Sequence, residues 1–172
     1  MKHLITGLIA VAFLSAGCGG DEKKLASETS KKAETVEQKA EIPSNEPKQE
    51  VALRLSSNDQ MKYDKSELRV PANSVVTLTL VNEGQMPKSA MGHNFVLLKS
   101  GTDVAAFGMK AIEAGIDKDH IPTSNAIIAH TKLIGGGEET TVTFNAPAKG
   151  SYDFICSFPG HYALMKGKFI VE

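Results

Sequence analysis

The chain has 172 residues, 41% of them hydrophobic, with 19 Lys plus Arg against 20 Asp plus Glu and a formal net charge of −1. This length suits one domain with short appendages. The balanced charge shows no overall basic excess of the kind that marks a nucleic-acid partner and provides little field for electrostatic steering.

Residues Met1 to Gly17 have the form of an export signal: Lys2 and His3, an apolar run from Leu4 to Leu14, then small residues before Cys18. The run is too short to span a bilayer comfortably. Leu14-Ser15-Ala16-Gly17-Cys18 is similar to a bacterial lipoprotein cleavage box, although Ser15 stands where leucine is usual. Cys18 is therefore expected to become the lipidated N-terminus of the mature chain. Gly19, in place of an aspartate, favours the outer over the inner membrane. From Gly19 to Glu50 the chain is rich in Lys, Glu, Ala, Ser and Thr, has no aromatic residue, and is expected to be a disordered tether. As a flexible coil it would reach roughly 30 Å. The alternative for this tract is a transient helix carried by Glu28, Lys31, Lys32 and the stretch Glu34 to Lys39. The expected organisation is thus 1–17 signal, 18–50 lipidated tether and 51–172 domain.

From Val51 onward, β-branched and apolar runs alternate with Gly, Asn, Asp and Pro. Strands are predicted at Val51–Leu55, Ser66–Val70, Val75–Val81, Asn94–Leu98, Ile127–Leu133, Glu139–Phe144, Ser151–Cys156 and Lys168–Val171. About eight short strands predict an all-β, Greek-key sandwich or barrel. One interval breaks the rhythm. Val104, Phe107, Ala111 and Ala114 follow a helical spacing, with Thr102 or Asp103 as cap and Gly115 as stop.

The loop Cys156-Ser157-Phe158-Pro159-Gly160-His161-Tyr162-Ala163-Leu164-Met165 places a thiol, an imidazole and a thioether within ten positions, and Pro159-Gly160 turns the chain between the first two. Met91-Gly92-His93-Asn94-Phe95 supplies a second imidazole just before a predicted strand. A thiolate with two imidazoles and a weak axial thioether is the donor set of a blue-copper electron-transfer site. Taken singly, these residues read as core and loop filler, since free Cys and Met commonly pack. Their clustering favours the metal. A cysteine hydrolase using Cys156 as nucleophile leaves Met165 without a role and shows no oxyanion-hole signature.

Cys-x4-His-x3-Met with the upstream Met-Gly-His-Asn closely resembles the azurins, small bacterial cupredoxins. The resemblance extends through Ser57-Asn58-Asp59-Gln60-Met61, Met86-Pro87-Lys88, Gly115 to Asp119, and Ile128 to Glu138, so it covers the whole stretch from Val51 to the C-terminus. Auracyanins, membrane-tethered relatives with the same loop spacing, are the nearest rival within the family. The resemblance implies a cupredoxin fold with a helical flap and a single type 1 copper cycling between Cu(II) and Cu(I). Its ligands would be His93, Cys156 and His161, with Met165 as the axial thioether and the Gly92 carbonyl as a weak opposite contact. Asn94 and Ser157 would tie the two ligand segments together, with Phe158 in the same supporting shell and backbone donors bonding the sulfur. Electrons would leave through the exposed edge of His161, inside an apolar docking patch of Met61, Met86, Ala90, Met91, Phe158, Pro159, Gly160 and Leu164.

The chain also departs from the azurin pattern. The disulfide most azurins carry would fall at Val51 and Ser74, so it is absent. Asn82 stands where many have a buried histidine. Tyr162 replaces a small residue after the second histidine ligand. His130 lies in a matching segment that the family does not use for copper, and His130 and His120 are both read as surface residues. Residues 51–172 carry 12 Lys plus Arg and 12 Asp plus Glu, so docking is expected to be apolar rather than steered.

These readings predict a monomeric, non-enzymatic periplasmic electron carrier, held to a membrane by its lipid. Its expected partners are redox proteins such as c-type cytochromes, reductases or peroxidases. A periplasmic copper chaperone or storage protein is the alternative, because the same soft donors bind Cu(I). A multicopper reductase would need more histidines than His120 and His130 supply.

Overall fold

The structure, a computed structural model, describes residues 48–172. The expected signal segment, the lipidation site Cys18 and nearly all of the tether lie outside the described residues. The chain runs through β1 (Glu50–Asn58), β2 (Lys62–Tyr63), β3 (Glu67–Val70), β4 (Val75–Asn82), α1 (Lys88–Met91), β5 (Val96–Leu98), α2 (Val104–Ala114), β6 (Ile127–His130), β7 (Glu139–Asn145), β8 (Gly150–Ile155) and β9 (Lys166–Val171). Short 3₁₀ turns occupy Ile116–Lys118 and His161–Ala163.

Alternation decides which side chains turn inward. In β4, Val76, Leu78, Leu80 and Asn82 are buried. Thr77 and Thr79 face outward and pair hydroxyls with Thr143 and Thr141 of β7 at 3.1 and 3.2 Å. The strands form a four-stranded sheet, β2-β1-β4-β7, and a five-stranded sheet, β3-β9-β8-β5-β6. The pairs β1–β4 and β3–β9 are parallel and the remaining neighbours antiparallel. Both sheets are open, so the fold is a sandwich and not a closed barrel. The ninth strand, β2, is a two-residue pairing that returns on β1 after Met61 takes a left-handed φ of 55°. Two residues leave no periodic trace in a sequence.

Between the sheets lie Leu55, Leu78, Leu80, Phe95, Leu97, Phe154 and Phe169, all fully buried, with Phe95 and Phe154 ring to ring at 5.5 Å. Strand β5 is buried on both faces. Leu97 points into this core, while Val96 and Leu98 join Phe107 and Ile155 in a second cluster beneath α2. The helix is thus the cover of the outer face of β5. Asp103 caps it, accepting from the amides of Ala105 and Ala106 at 2.9 and 3.0 Å, while Thr102 donates instead to the Lys99 carbonyl. Gly115 ends it at φ 76°.

At the positions implied for the family disulfide, Val51 pairs with Val76 across β1 and β4, and Ser74 donates its hydroxyl to the Pro71 carbonyl at 2.8 Å. No crosslink joins these two positions, so stability rests on the apolar layer. Leu78→Ala in the metal-free protein should cost about 2–5 kcal/mol through lost burial and an unfilled cavity. Urea unfolding would show this as a lower midpoint with an unchanged slope.

Candidate metal centre

Antiparallel pairing explains why distant residues meet. Strand β5 begins where β8 ends, with Val96 opposite Ile155, so the segment before β5 and the loop after β8 emerge side by side. The first carries His93 and the second begins at Cys156. That loop closes on itself. The Cys156 amide donates to the Met165 carbonyl at 2.9 Å, the Met165 amide to His161 at 2.8 Å, and the His161 amide to Phe158 at 3.0 Å. Gly160 makes the turn at φ 80°.

His93 is held by its own backbone, which exchanges two 2.9 Å hydrogen bonds with Ile134. Its Nε2 lies 2.9 Å from the Asn58 carbonyl. A carbonyl only accepts, so Nε2 carries the proton and Nδ1 presents its lone pair. That Nδ1 lies 3.9 Å from Cys156 Sγ, His161 Nδ1 lies 3.6 Å from the same sulfur, and all three donor atoms fall within 4.8 Å of one another. One ion bound in a plane by a thiolate and two imidazoles, with bonds near 2.3 and 2.05 Å, separates sulfur from nitrogen by about 3.8 Å. The residues therefore fit a metal. The Gly92 carbonyl is 3.9 Å from Sγ, and Met165 is fully buried in one cluster with Cys156, Leu133 and Phe158. Gly92 has to be glycine: a Cβ there would sit 2.5 Å from the Lys88 carbonyl oxygen and 2.9 Å from Leu133.

Burial sets the protonation states. It pushes the Cys156 thiol up to about 11, against the opposing pull of backbone hydrogen bonds from Asn94 and Phe158. It pushes His161 down to about 4, helped by neighbouring His93, and lowers His93 as well. At neutral pH both imidazoles are ready donors and only the thiol has a proton to lose.

Asn94 is the hub of the surrounding bonds. Its Oδ1 accepts from the Ser157 amide and its Nδ2 donates to Ser157 Oγ, both at 2.8 Å, with a further 2.9 Å bond from Nδ2 to the Asp119 carbonyl. Ser157 Oγ donates onward to the His120 carbonyl at 2.9 Å.

Two readings of the sequence are corrected here. His120 is not a surface residue: it is 7% exposed, its Nδ1 bonds the Ala111 carbonyl at 3.1 Å, and its ring meets Phe158 edge-on at 5.3 Å. Phe158 is only 9% exposed and lies tilted on His161 at 4.6 Å, so it packs beneath the loop instead of offering its face to a partner. The remaining patch residues are open to differing degrees. Leu164 is 66% and Met86 40% exposed, Ala90 and Gly160 are exposed, and Met61, Met91 and Pro159 are half-buried. His161 keeps 3% of its surface open and His93 none, so the edge available to solvent is small and belongs to His161. His130 is exposed and outside the cluster.

Sequence reasoning missed Tyr63, whose hydroxyl donates to the Asn94 carbonyl at 2.5 Å. Burial raises that hydroxyl well above its ordinary value, with the charge of Cys156 adding to the effect. No periodic signal marks it, because β2 is two residues long and Met61 before it sits in the turn at a left-handed φ of 55°. Tyr162 also gains a role. Its ring lies on α2 at Gly108, where an added Cβ would come within 2.5 Å of it, so the turn that carries His161 rests on the helix.

A β-sandwich with a helical cover and a buried His₂Cys cluster beside a methionine defines the cupredoxin class. The pattern of the copper-binding proteins of the plastocyanin/azurin family matches residues 49–172. The chain is 41% identical to an azurin of Pseudomonas chlororaphis over 128 residues, covering 72% of this chain and 99% of that one. It is 40% identical to an azurin of Bordetella pertussis over 123 residues, 69% of this chain and 81% of that one. Among solved structures, the reduced auracyanin of Roseiflexus castenholzii matches with a TM-score of 0.64 and 40% identity over 71% of this chain and 97% of that one. Auracyanin A of Chloroflexus aurantiacus, described as a "blue" copper protein, matches with 0.67 and 35% over 72% and 99%. The protein belongs to the plastocyanin/azurin family of copper-binding proteins, and copper is the metal its His93, Cys156 and His161 cluster fits.

Because uptake of Cu(I) releases the single proton of Cys156, affinity should rise about tenfold per pH unit across the neutral and mildly alkaline range. The rise should flatten above the thiol value of about 11 and steepen in acid as the imidazoles, His161 near 4, take up protons. Competition with a Cu(I) chelator at several pH values measures the slope.

Proposed function

We propose that this protein is a blue-copper electron carrier, with His93, Cys156 and His161 as ligands and with Met165 and the Gly92 carbonyl as weaker contacts. The observation that carries this reading is the preformed donor set: two imidazole nitrogens 3.6 and 3.9 Å from one buried sulfur, held by backbone bonds that need no metal. Copper supplies a one-electron couple when bound. The chain's part is to hold its donors still. Asn94 and Ser157 fix the two ligand segments against each other, and backbone donors to the sulfur withdraw density from the thiolate. Rigid donors leave little to rearrange when the charge changes. The same closure argues for a carrier and against an enzyme, since donors exposed by 3% or less leave no berth for a substrate.

Electrons leave through His161, the less covered imidazole, and partners dock on Met61, Met86, Ala90, Met91, Pro159, Gly160 and Leu164. Methionine-rich surfaces adapt to several partners, and balanced charge leaves apolar contact to guide docking. c-Type cytochromes, reductases and peroxidases are the partner classes this surface suits. The signal-like N-terminus and Cys18 support a periplasmic lipoprotein, with the outer membrane favoured by Gly19.

Adding Cu(II) to the purified protein should produce an intense visible band from thiolate-to-copper charge transfer. Cys156→Ser should abolish that band, whereas Met165→Gln should keep a copper site at a lower reduction potential, because the thiolate supplies the covalency and the axial donor only tunes it. A colourless protein after full copper loading overturns the assignment. Anchoring is separable from the site: Cys18→Ser should move the protein from the membrane fraction to the soluble one and remove the acyl mass from its N-terminus.

A further inference from the structure

The turn between β1 and β2 reaches the metal centre twice. Asn58, at the end of β1, offers its carbonyl to His93 Nε2 at 2.9 Å. Tyr63, in β2 and paired with Ser57, donates its hydroxyl to the Asn94 carbonyl at 2.5 Å. Two adjacent residues of the first ligand segment are thus gripped by one hairpin, His93 through its ring and Asn94 through its backbone. Asn94 precedes β5, so its carbonyl stands outside that strand's ladder and takes its donor from a side chain. The Tyr63 ring packs against the cluster of Leu133, Cys156, Phe158 and Met165 and meets Phe154 at 5.6 Å. The hydroxyl is therefore aimed from a fixed base and not from a mobile arm.

We propose that Tyr63 is a positioning residue for the metal centre: by holding the Asn94 carbonyl it fixes the Asn94–Ser157 clamp, and with it the spacing of His93 and Cys156, in the metal-free and metal-bound protein alike. The route is short. Asn94 is fully buried, and its side chain holds both the amide and the hydroxyl of Ser157, the residue next to Cys156. A buried carbonyl that loses the one donor it has among the described residues bears the full cost of its desolvation. The segment then recovers part of that cost by moving, which loosens the amide hydrogen bonds that the side chain of Asn94 makes. This deepens the copper reading of the same site, because what the brace positions is the donor set.

Tyr63→Phe deletes one oxygen and keeps the ring, so packing against Phe154 and Met165 is preserved. In the metal-free variant, hydrogen exchange of the Ser157 amide should quicken about tenfold, the size expected for losing one buried hydrogen bond. Amides of β4, such as Leu78, should keep their wild-type rates. In the loaded variant, release of Cu(I) to a chelator should quicken by a similar factor. Unchanged exchange at Ser157, or acceleration shared equally with β4, marks Tyr63 as ordinary core packing and overturns the proposal, as does unchanged release of Cu(I). These outcomes are separate from the fate of the copper reading. An intense visible band with unselective exchange removes the brace alone, whereas selective exchange in a protein that stays colourless leaves the brace and removes the blue-copper assignment.

Discussion

Two 2.8 Å hydrogen bonds between Asn94 and Ser157 join segments 63 residues apart, and the donor cluster depends on them. Strand pairing alone brings these segments into the same neighbourhood, since the β5–β8 ladder has only two register positions, Val96 with Ile155 and Leu97 with Phe154. A ladder that short sets direction but controls spacing loosely. The amide of Asn94 converts proximity into a fixed distance by taking both the backbone and the hydroxyl of the residue after Cys156. It is itself buried and fully engaged, the condition under which a polar group in a core rigidifies its surroundings.

Around that clamp the protein holds a buried thiol and two neutral imidazoles. Leaving such groups without partners would be costly, and two of the three are answered locally, the His93 ring by the Asn58 carbonyl and the sulfur by backbone donors from Asn94 and Phe158, while the His161 ring keeps a small edge open. The sandwich contributes stiffness in return. Phe95, directly after Asn94, lies at the centre of the main core, and Ile155, directly before Cys156, lies in the cluster beneath α2. Each ligand segment is therefore one or two residues from a fully packed anchor, so displacement at the site requires displacement in the core.

Much of this was legible in the sequence because the chemistry is locally written. Cys156, His161 and Met165 share one hairpin loop, and Gly92-His93-Asn94 stand together before an apolar run. Helix α2 declared itself through both its spacing and its cap, and the β-strands through alternation. What escaped notice depended on contacts across the fold. Strand β2 is too short for periodicity, and Tyr63 is defined by a carbonyl 31 residues away. His120 reads as a loop histidine until Ala111 and Phe158 are seen against it. Phe158 lies in an exposed-looking loop but turns inward, because His161 and His120 both offer ring surface to it. The strand predicted from Ile127 to Leu133 stops at His130, and beyond it the chain leaves to form the bridge between Ile134 and His93.

The burial of Cys156 has a consequence for the life of the protein before it meets metal. Attack on oxidants and disulfides needs a thiolate that they can reach. This sulfur has no exposed surface, and its proton is held up to about pH 11. The empty protein is therefore chemically quiet: slow to form sulfenic acid, slow to exchange with passing thiols, and slow to couple to a second copy of itself. The same pocket that makes the thiol useful to a soft metal ion preserves it, unspent, until one arrives.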